Sequence, residues 1–267
     1  MINVGVTFNY LYSCLLDIFN IFAFVNWQKM GRLLVMNLCD CFHLTEIPDL
    51  SDHSFLEKLI LENCRELVKI HKSIGDLKTL RYLNLKNCSN LVEFPSDVSG
   101  LKHLENLILS GCSKLKGLPE DMNSMISLKE LLIDETVIVK LPDSIFRLRK
   151  LEKFSLKNCR SLKRLPDCIG KLSSLKELSL DSSALEELPY SIGSLAELEK
   201  LNLMRCKSLT AIPDSIGNLK SLEELLFDGS SIKELPASVG SLFRLKYLSL
   251  GYCRSLSKLP DSIEGLA

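Results

Sequence analysis

The sequence has no excess of either charge, and this absence narrows the functions open to it. Its 33 lysine and arginine residues are balanced by 33 aspartate and glutamate residues. Nucleic-acid-binding surfaces need an excess of basic charge, so nucleic acid has no support as a partner. The chain also lacks the GxxxxGK(S/T), GxSxG and HExxH patterns and a repeated CxxC. Phosphate binding, serine hydrolysis and zinc chemistry lack their usual signatures, and we expect no enzyme, cofactor or metal.

The four histidines offer no catalytic constellation either. No nucleophile or carboxylate recurs beside them, as the chemistry of an activated nucleophile would require. They fall at positions that the pattern described next assigns to turns or to outward-facing side chains. We therefore expect exposed polar residues at His43, His53, His71 and His103.

What the sequence does contain is one pattern that returns along nearly the whole chain. The stretch from Leu104 to Pro119 reads LxxLxLxxCxxLxxLP, and its copies begin 23 or 24 residues apart. A fixed period of this length is the signature of a leucine-rich-repeat solenoid. The ten copies begin at Leu33, Leu56, Leu80, Leu104, Leu128, Leu151, Leu175, Leu198, Leu222 and Leu245.

Alternation within each copy predicts a short strand. Leu107 and Leu109 point to one face while Asn106 and Ile108 point to the other. Pro119 ends the strand's hydrogen-bond ladder, and the following segment returns over the core. Stacked copies bury each leucine against its equivalents. We predict an α/β leucine-rich-repeat solenoid, a curved horseshoe with a parallel sheet on the concave face and short helices or 3₁₀ turns on the convex face.

The ninth position of each copy is small and weakly polar, and seven of the ten cysteines occupy it. A thiol or hydroxyl there can hydrogen-bond the loop backbone weakly. A row of buried thiols in equivalent places suits a reducing compartment better than an oxidising one, so we do not expect disulfide bonds. Cys39 and Cys41 form only a CxC, which does not match zinc-ligand spacing. This structural column consists of Cys41, Cys64, Cys88, Cys112, Thr136, Cys159, Ser183, Cys206, Ser230 and Cys253.

From Leu128 onward, copies with threonine or serine in this column are one residue shorter and alternate with cysteine copies. Outward charges alternate too, as Glu130, Lys153 and Glu177 do at the third position. Opposite charges on neighbouring strands would form lateral pairs worth roughly 0.2 to 1 kcal/mol each. We interpret this pattern as a self-neutralising, solvated surface rather than as a dedicated ligand patch.

Apolar residues at outward positions interrupt the charge pattern and are our candidate protein contacts. A rigid sheet presents such residues without loop entropy, and aromatic residues dominate interface hot spots. The candidates on the concave face are Ile60, Tyr82, Ile108, Leu132, Met204, Leu226, Tyr247 and Tyr252.

The two ends depart from the pattern. Residues 1–24 are apolar but interrupted by Asn9, Asp17 and Asn20, and they lack the basic flank of a signal peptide. We predict for them a cap helix over the first copy or a terminus that is not native to the domain, and a membrane span is disfavoured. Residues 25–267 form the repeat domain. No polar cap follows Leu266, so we expect a truncated chain or a partner at that end.

Residues 25–267 resemble the leucine-rich-repeat domain of plant intracellular immune receptors of the nucleotide-binding class with a TIR domain. The opening at Trp27-Gln-Lys, the stretch from Leu33 to Ser51, the Asn-Cys pairs such as Asn63-Cys64, and returns such as Leu188 to Leu195 are similar to that family. The resemblance implies a cytoplasmic or nuclear protein that contacts pathogen effectors or guarded host proteins. It also implies that the domain restrains a nucleotide-binding module.

That module and the TIR domain have no counterpart in this sequence, so we expect a partial gene product. A free-standing cytosolic scaffold, similar to plant Ras-group leucine-rich-repeat proteins, stays open as the alternative. An extracellular receptor domain would have asparagine in the column and many glycosylation sites. Here the single sequon, Asn87-Cys88-Ser89, overlaps the predicted buried column.

Overall fold

The computed structural model describes residues 32–265, and ten of its twelve strands form one parallel sheet. Each predicted copy contributes one three-residue strand, in chain order. The predictions for residues 1–24, Trp27 and Leu266 lie outside the described residues. The strands are β1 (Val35–Asn37), β2 (Glu46–Ile47), β3 (Lys58–Ile60), β4 (Lys69–Ile70), β5 (Tyr82–Asn84), β6 (Asn106–Ile108), β7 (Glu130–Leu132), β8 (Lys153–Ser155), β9 (Glu177–Ser179), β10 (Lys200–Asn202), β11 (Glu224–Leu226) and β12 (Tyr247–Ser249).

Equivalent positions of neighbouring strands lie side by side throughout the sheet. Leu107 of β6 is paired with Leu83 of β5 and with Leu131 of β7. Because strand side chains alternate between faces, this register keeps the middle residue of every strand in one inward row. The leucine-rich-repeat solenoid with a parallel sheet is therefore confirmed.

The return segments that are helical within residues 32–265 are 3₁₀ helices, one of the two forms that the sequence left open. Their first hydrogen bond closes a tight turn, as from the Ile145 amide to the Pro142 carbonyl at 3.1 Å. The returns around Leu50, Val98 and Met122 contain no such helix. The helices span Lys72–Asp76, Asp143–Arg147, Ile169–Lys171, Tyr190–Ser194, Asp214–Asn218, Ala237–Ser241 and Asp261–Gly265.

Glycine sets how closely consecutive returns can approach. A Cβ atom on Gly193 would lie 2.1 Å from the Ser215 carbonyl oxygen, and one on Gly217 would lie 2.4 Å from that of Ser238. These separations are too short for a real Cβ contact, so the returns stack in this way only where glycine is present. In the fifth copy Phe146 takes the equivalent place and is fully buried.

One continuous core runs through the stacked copies. The inward leucines between Leu56 and Leu225 have essentially no exposed surface, and burial stabilises each by about 1.5 to 3 kcal/mol. In the tenth copy Leu245, Leu248 and Leu250 are only partly buried. A separate pair, β2 with β4, aligns Ile47 with Ile70 beyond the main sheet. Within the described range, no helix combines the length and the apolar content needed to cross a membrane.

Candidate protein-binding surface

Three side chains from each copy face outward along the sheet. They are the first and last residues of the strand and the residue two positions beyond it, as Lys153, Ser155 and Lys157 show for β8. Together these positions form the surface that we call the concave face. Its composition differs from copy to copy because no core contact dictates it.

Lateral ion pairs connect the first positions of successive strands. The Lys153 Nζ lies 3.1 Å from a carboxylate oxygen of Glu130, and Lys200 pairs with Glu224. The hydrogen bond to Glu130 raises the pKa of Lys153. Such half-exposed pairs contribute roughly 0.2 to 1 kcal/mol each, and they neutralise much of this row.

A second row of charges precedes the strands. Glu105 accepts hydrogen bonds from Arg81 at 2.8 Å and from Lys129 at 2.7 Å. These two bonds, with the Lys129 bond the stronger influence, hold the pKa of Glu105 below its ordinary value. Lys176 pairs with Glu152 in the same row. Most charges near the sheet are therefore matched by a neighbour in an adjacent copy.

Four of the eight candidate contacts come together over β3 to β7. Ile60, Ile108 and Leu132 occupy the same outward row, and Tyr82 projects from β5 beside them. All four are half-buried. Tyr82, Ile108 and Leu132 line an open hollow of about 420 Å³. Burial, together with the charges of Glu62 and Glu130, raises the pKa of Tyr82.

The structure places the other four candidates apart from this hollow. Met204 lies two residues beyond β10, and Leu226 keeps only 8% of its surface exposed. Tyr247 and Tyr252 are 58% and 86% exposed in the tenth copy. Leu226 is thus an outward residue with little surface to offer, whereas the two tyrosines are freely accessible.

The column cysteines donate hydrogen bonds to the backbone of the preceding copy. The Sγ atoms of Cys64, Cys88 and Cys112 lie 3.1 to 3.2 Å from the carbonyl oxygens of Leu38, Leu61 and Leu85. The acceptor is the same position each time, so the thiols form a regular inter-copy contact. All nine cysteines in the described part of the chain are free thiols.

Burial lowers the reactivity of the column thiols in the interior of the solenoid. It raises the pKa of Cys88 from 9.0 to about 12, and it also raises the pKa of Cys112, Cys159 and Cys206. Because the thiolate is the nucleophile and the metal ligand, buried neutral thiols take part in neither chemistry. Residues 32–265 contain no cluster of three or more histidine, cysteine or acidic residues arranged to hold a metal ion.

Hydroxyl residues in the column contact the next thiol. The Thr136 Oγ1 lies 2.9 Å from the Ile133 carbonyl oxygen and 3.5 Å from the Cys159 Sγ. Ser183 and Cys206 are likewise 3.5 Å apart. The hydroxyl of each of these shorter copies therefore contacts the thiol of the longer copy that follows it.

The expectation that all four histidines are exposed is wrong for His53. His53 is only 3% exposed, and its Nδ1 has no hydrogen-bond partner among residues 32–265. Its carbonyl accepts the Leu56 amide just as that of Leu77 accepts the Leu80 amide. His53 therefore occupies the inward leucine position of the first return. Counting three residues back from Leu56, as from Leu80 to Leu77, would have located it.

The eighth position of each copy has a left-handed backbone, which the sequence analysis did not identify. It holds φ between 55° and 79° in all ten copies, including Arg205 at 55° and Tyr252 at 59°. The available signal was the frequency of asparagine, aspartate and glycine there, since these tolerate positive φ best. The ten residues are Asp40, Asn63, Asn87, Gly111, Glu135, Asn158, Ser182, Arg205, Gly229 and Tyr252.

Short stretches of the chain are similar to plant proteins. A 53-residue segment is 49% identical to Protein SUPPRESSOR OF npr1-1, CONSTITUTIVE 1 of Arabidopsis thaliana, and one of the same length is 45% identical to Disease resistance protein RPP5 of the same plant. Each match covers 20% of this chain and 4% of the relative. The chain therefore spans only a small part of the length of these relatives.

Solved structures match nearly the whole chain. The leucine-rich repeat domain of the type III effector XopL superposes with a TM-score of 0.69 at 26% identity, covering 91% of this chain and 76% of that one. The plant peptide hormone receptor RGFR1, in complex with RGF2, has a TM-score of 0.56 at 23% identity, covering 88% of this chain and 50% of that one. Because its sequence identity is only 23%, this second match shows a similar fold and nothing further.

The family described as Leucine-rich repeat region matches residues 35–164 and 155–227, and a further Leucine Rich Repeat match covers residues 244–266. These matches cover more than half of the chain and agree with the ten-stranded sheet. The domains of this family generally serve as protein-interaction modules. The chain belongs to the leucine-rich repeat family.

Proposed function

We propose that this chain is the recognition domain of a plant intracellular immune receptor and that its concave face contacts a pathogen effector or a guarded host protein. In a longer receptor the same domain would restrain a nucleotide-binding module. The observation that carries the proposal is the group of apolar residues at Tyr82, Ile108 and Leu132, which lies on the outward side of β5, β6 and β7 and lines an open hollow. Aromatic and aliphatic anchors of this kind dominate binding energy in protein interfaces.

The surroundings of these residues support a protein ligand over a small molecule. The hollow is open to solvent, and its walls are strand residues fixed by the register of β5, β6 and β7. A small-molecule pocket would instead enclose most of its ligand. The similarity to disease resistance proteins over 20% of the chain supports the immune context.

Capture of partners from plant tissue tests the proposal. The tagged chain would be expressed in leaves with and without secreted pathogen proteins, and captured proteins would be identified by mass spectrometry. We expect Tyr82→Ala, Ile108→Ser and Leu132→Ser combined to abolish capture of at least one effector or host protein.

The matched control replaces three exposed apolar residues on other surfaces, with Ile126→Ser, Val137→Ser and Val139→Ser combined. This variant should capture the same proteins as the unchanged chain. Equal losses in both variants, or capture that survives the concave-face changes, would contradict a role for the concave face.

A further inference from the structure

The apolar residues over β5, β6 and β7 form the floor of a single hollow with a defined rim. Ile108 and Leu132 are adjacent in register, and the Tyr82 ring lies at one side. The rim beyond the strand ends carries Glu62, Lys86, Asp134 and Glu135. The floor therefore favours an apolar side chain, and the rim decides which charge may accompany it.

The charges on this rim do not cancel. The Lys86 Nζ lies 3.1 Å from a carboxylate oxygen of Glu62, so these two neutralise each other. Neither Asp134 nor Glu135 pairs with a lysine or arginine among residues 32–265. Counted over the residues that line the hollow, the rim therefore has a net negative charge, while Lys153, whose pKa the charge of Asp134 helps to raise, lies on the next strand.

Several polar groups around the hollow are already engaged in hydrogen bonds. The Asn84 amide donates to Glu62 and its oxygen accepts the Lys86 backbone N–H. The Asn87 amide donates to Asn63. Asp134 accepts from Ser110, Ser155 and the Lys157 backbone, which fixes its position without removing its charge. The carboxylate of Glu135 and the outer side of the Asp134 carboxylate can still bind a cation.

We propose that this hollow binds an extended polypeptide segment in which a lysine or arginine lies close to an aliphatic or aromatic side chain. Leu132 and Asp134 are two residues apart, which is about 6.6 Å along extended backbone. The apolar side chain packs on Ile108 and Leu132, and the basic group reaches Asp134 and Glu135. This inference rests on the proposed function, and it names the chemistry of the partner.

Complementary charge gives this site its selectivity. An acidic segment would place like charges beside Asp134 and Glu135, and the Lys86 ammonium is already held by Glu62. Rim charges change association and its salt dependence more than they change the packed contact. Binding should therefore weaken as ionic strength rises, because the exposed carboxylates are screened.

The experiment pans a random dodecapeptide display library against the immobilised chain and measures the affinity of the enriched peptides. We expect these peptides to contain a basic residue near an apolar one, and to bind at least about tenfold more weakly to Glu135→Lys, which is about 1.4 kcal/mol. Glu187→Lys is the matched control, since Glu187 is exposed and pairs with Arg164 on a different surface. It should leave affinity unchanged.

Melting temperatures of both variants report whether they remain folded. Enrichment of acidic or uncharged peptides, equal binding to Glu135→Lys, or no enrichment at all would overturn this inference. Those results would leave the proposed function standing if the concave-face variant still loses its captured proteins. If only the concave-face variant disagreed with expectation, by capturing the same proteins as the unchanged chain, the proposed function would be overturned and the peptide result would stand.

Discussion

The first four copies, from Leu33 to Ser127, and the four from Leu151 to Arg244 share one core but differ on both surfaces. In the first group, three of the four returns lack a 3₁₀ helix, and the last residues of the strands alternate as Asn37, Ile60, Asn84 and Ile108. In the second group, every return contains a 3₁₀ helix and the concave row reads Ser155, Ser179 and Asn202 before Leu226.

This comparison separates what the core requires from what it tolerates. The inward row of the strands is apolar in both groups, with Met36 aligned with Leu59 and Phe154 aligned with Leu178, because stacking requires every copy to fill the same core. Glycine allows close approach in the regular returns of the second group, as at Gly193, but it does not by itself produce a 3₁₀ helix, since Gly100 makes a similar approach in a return that lacks one. The outward row lies on the opposite side of the sheet from the inward leucines, so its residues vary between apolar and polar from copy to copy. Binding specificity can thus change along the solenoid without changing the fold.

The largest expected effect is on pH dependence, because the pKa is raised for three column thiols of the first group and for two of the second. The thiols are Cys64, Cys88 and Cys112 in the first group and Cys159 and Cys206 in the second. The raised pKa of Cys88 means that the folded state keeps its proton above pH 9 while the unfolded state loses it. Stability should be complete below about pH 9 and fall by up to about 1.4 kcal/mol per pH unit for each such thiol, up to about pH 12.

Urea denaturation at pH 8 and pH 10.5, comparing the unchanged chain with Cys88→Ser, measures this effect. The difference in unfolding free energy between the two should shift by about 1.4 kcal/mol per pH unit above pH 9. Hydrogen exchange should show the first group opening before the second as the pH rises. A difference independent of pH would show that Cys88 ionises equally in both states.

The second prediction concerns the close returns of the second group. Gly193→Ala places a methyl group 2.1 Å from the Ser215 carbonyl oxygen, so we expect a loss of about 1 to 3 kcal/mol in unfolding free energy. Gly117→Ala is the control from the first group, because no atom lies within 4 Å of the added carbon. Thermal and urea denaturation measure both, and equal effects would contradict the role of close approach.

The smallest effect tests how irregular returns are stabilised. The hydroxyls of Ser73 and Ser144 accept the buried amides of Leu50 and Met122 at 2.8 and 3.0 Å, in returns that form no 3₁₀ bond there. Ser144→Ala should cost about 1 to 2 kcal/mol because it leaves the Met122 amide unsatisfied. The hydroxyl of Ser215 has no hydrogen-bond partner in the described part of the chain, so Ser215→Ala should be neutral or slightly stabilising.

Denaturation midpoints of the two alanine variants give the comparison directly. If both serines cost the same, the hydroxyl of the irregular return contributes through packing rather than through its hydrogen bond. The two serines also represent the two groups of copies. Ser144 contacts the irregular return at Met122, and Ser215 contacts the regular return at Gly193.

Leucine spacing predicted the solenoid because a period of 23 or 24 residues leaves one way to bury every copy. It did not predict the inward place of His53, because the first return is one residue shorter and departs from the IGxL pattern. Nor did it reveal that neither Asp134 nor Glu135, beside Leu132, forms an ion pair with a lysine or arginine of residues 32–265. Charge alternation along the sequence indicates neighbours, but the distances between side chains decide which pairs form.

The sequence by itself determined the repeat, the inward rows and the column of thiols and hydroxyls, because these follow from periodicity and from side-chain volume and polarity. The tertiary structure decided the 3₁₀ form of the returns, the left-handed eighth position and the grouping of Tyr82, Ile108 and Leu132 into one hollow. Each of these depends on how one copy meets the next. Such contacts between residues more than 20 positions apart are set by register and close approach, which no local pattern records.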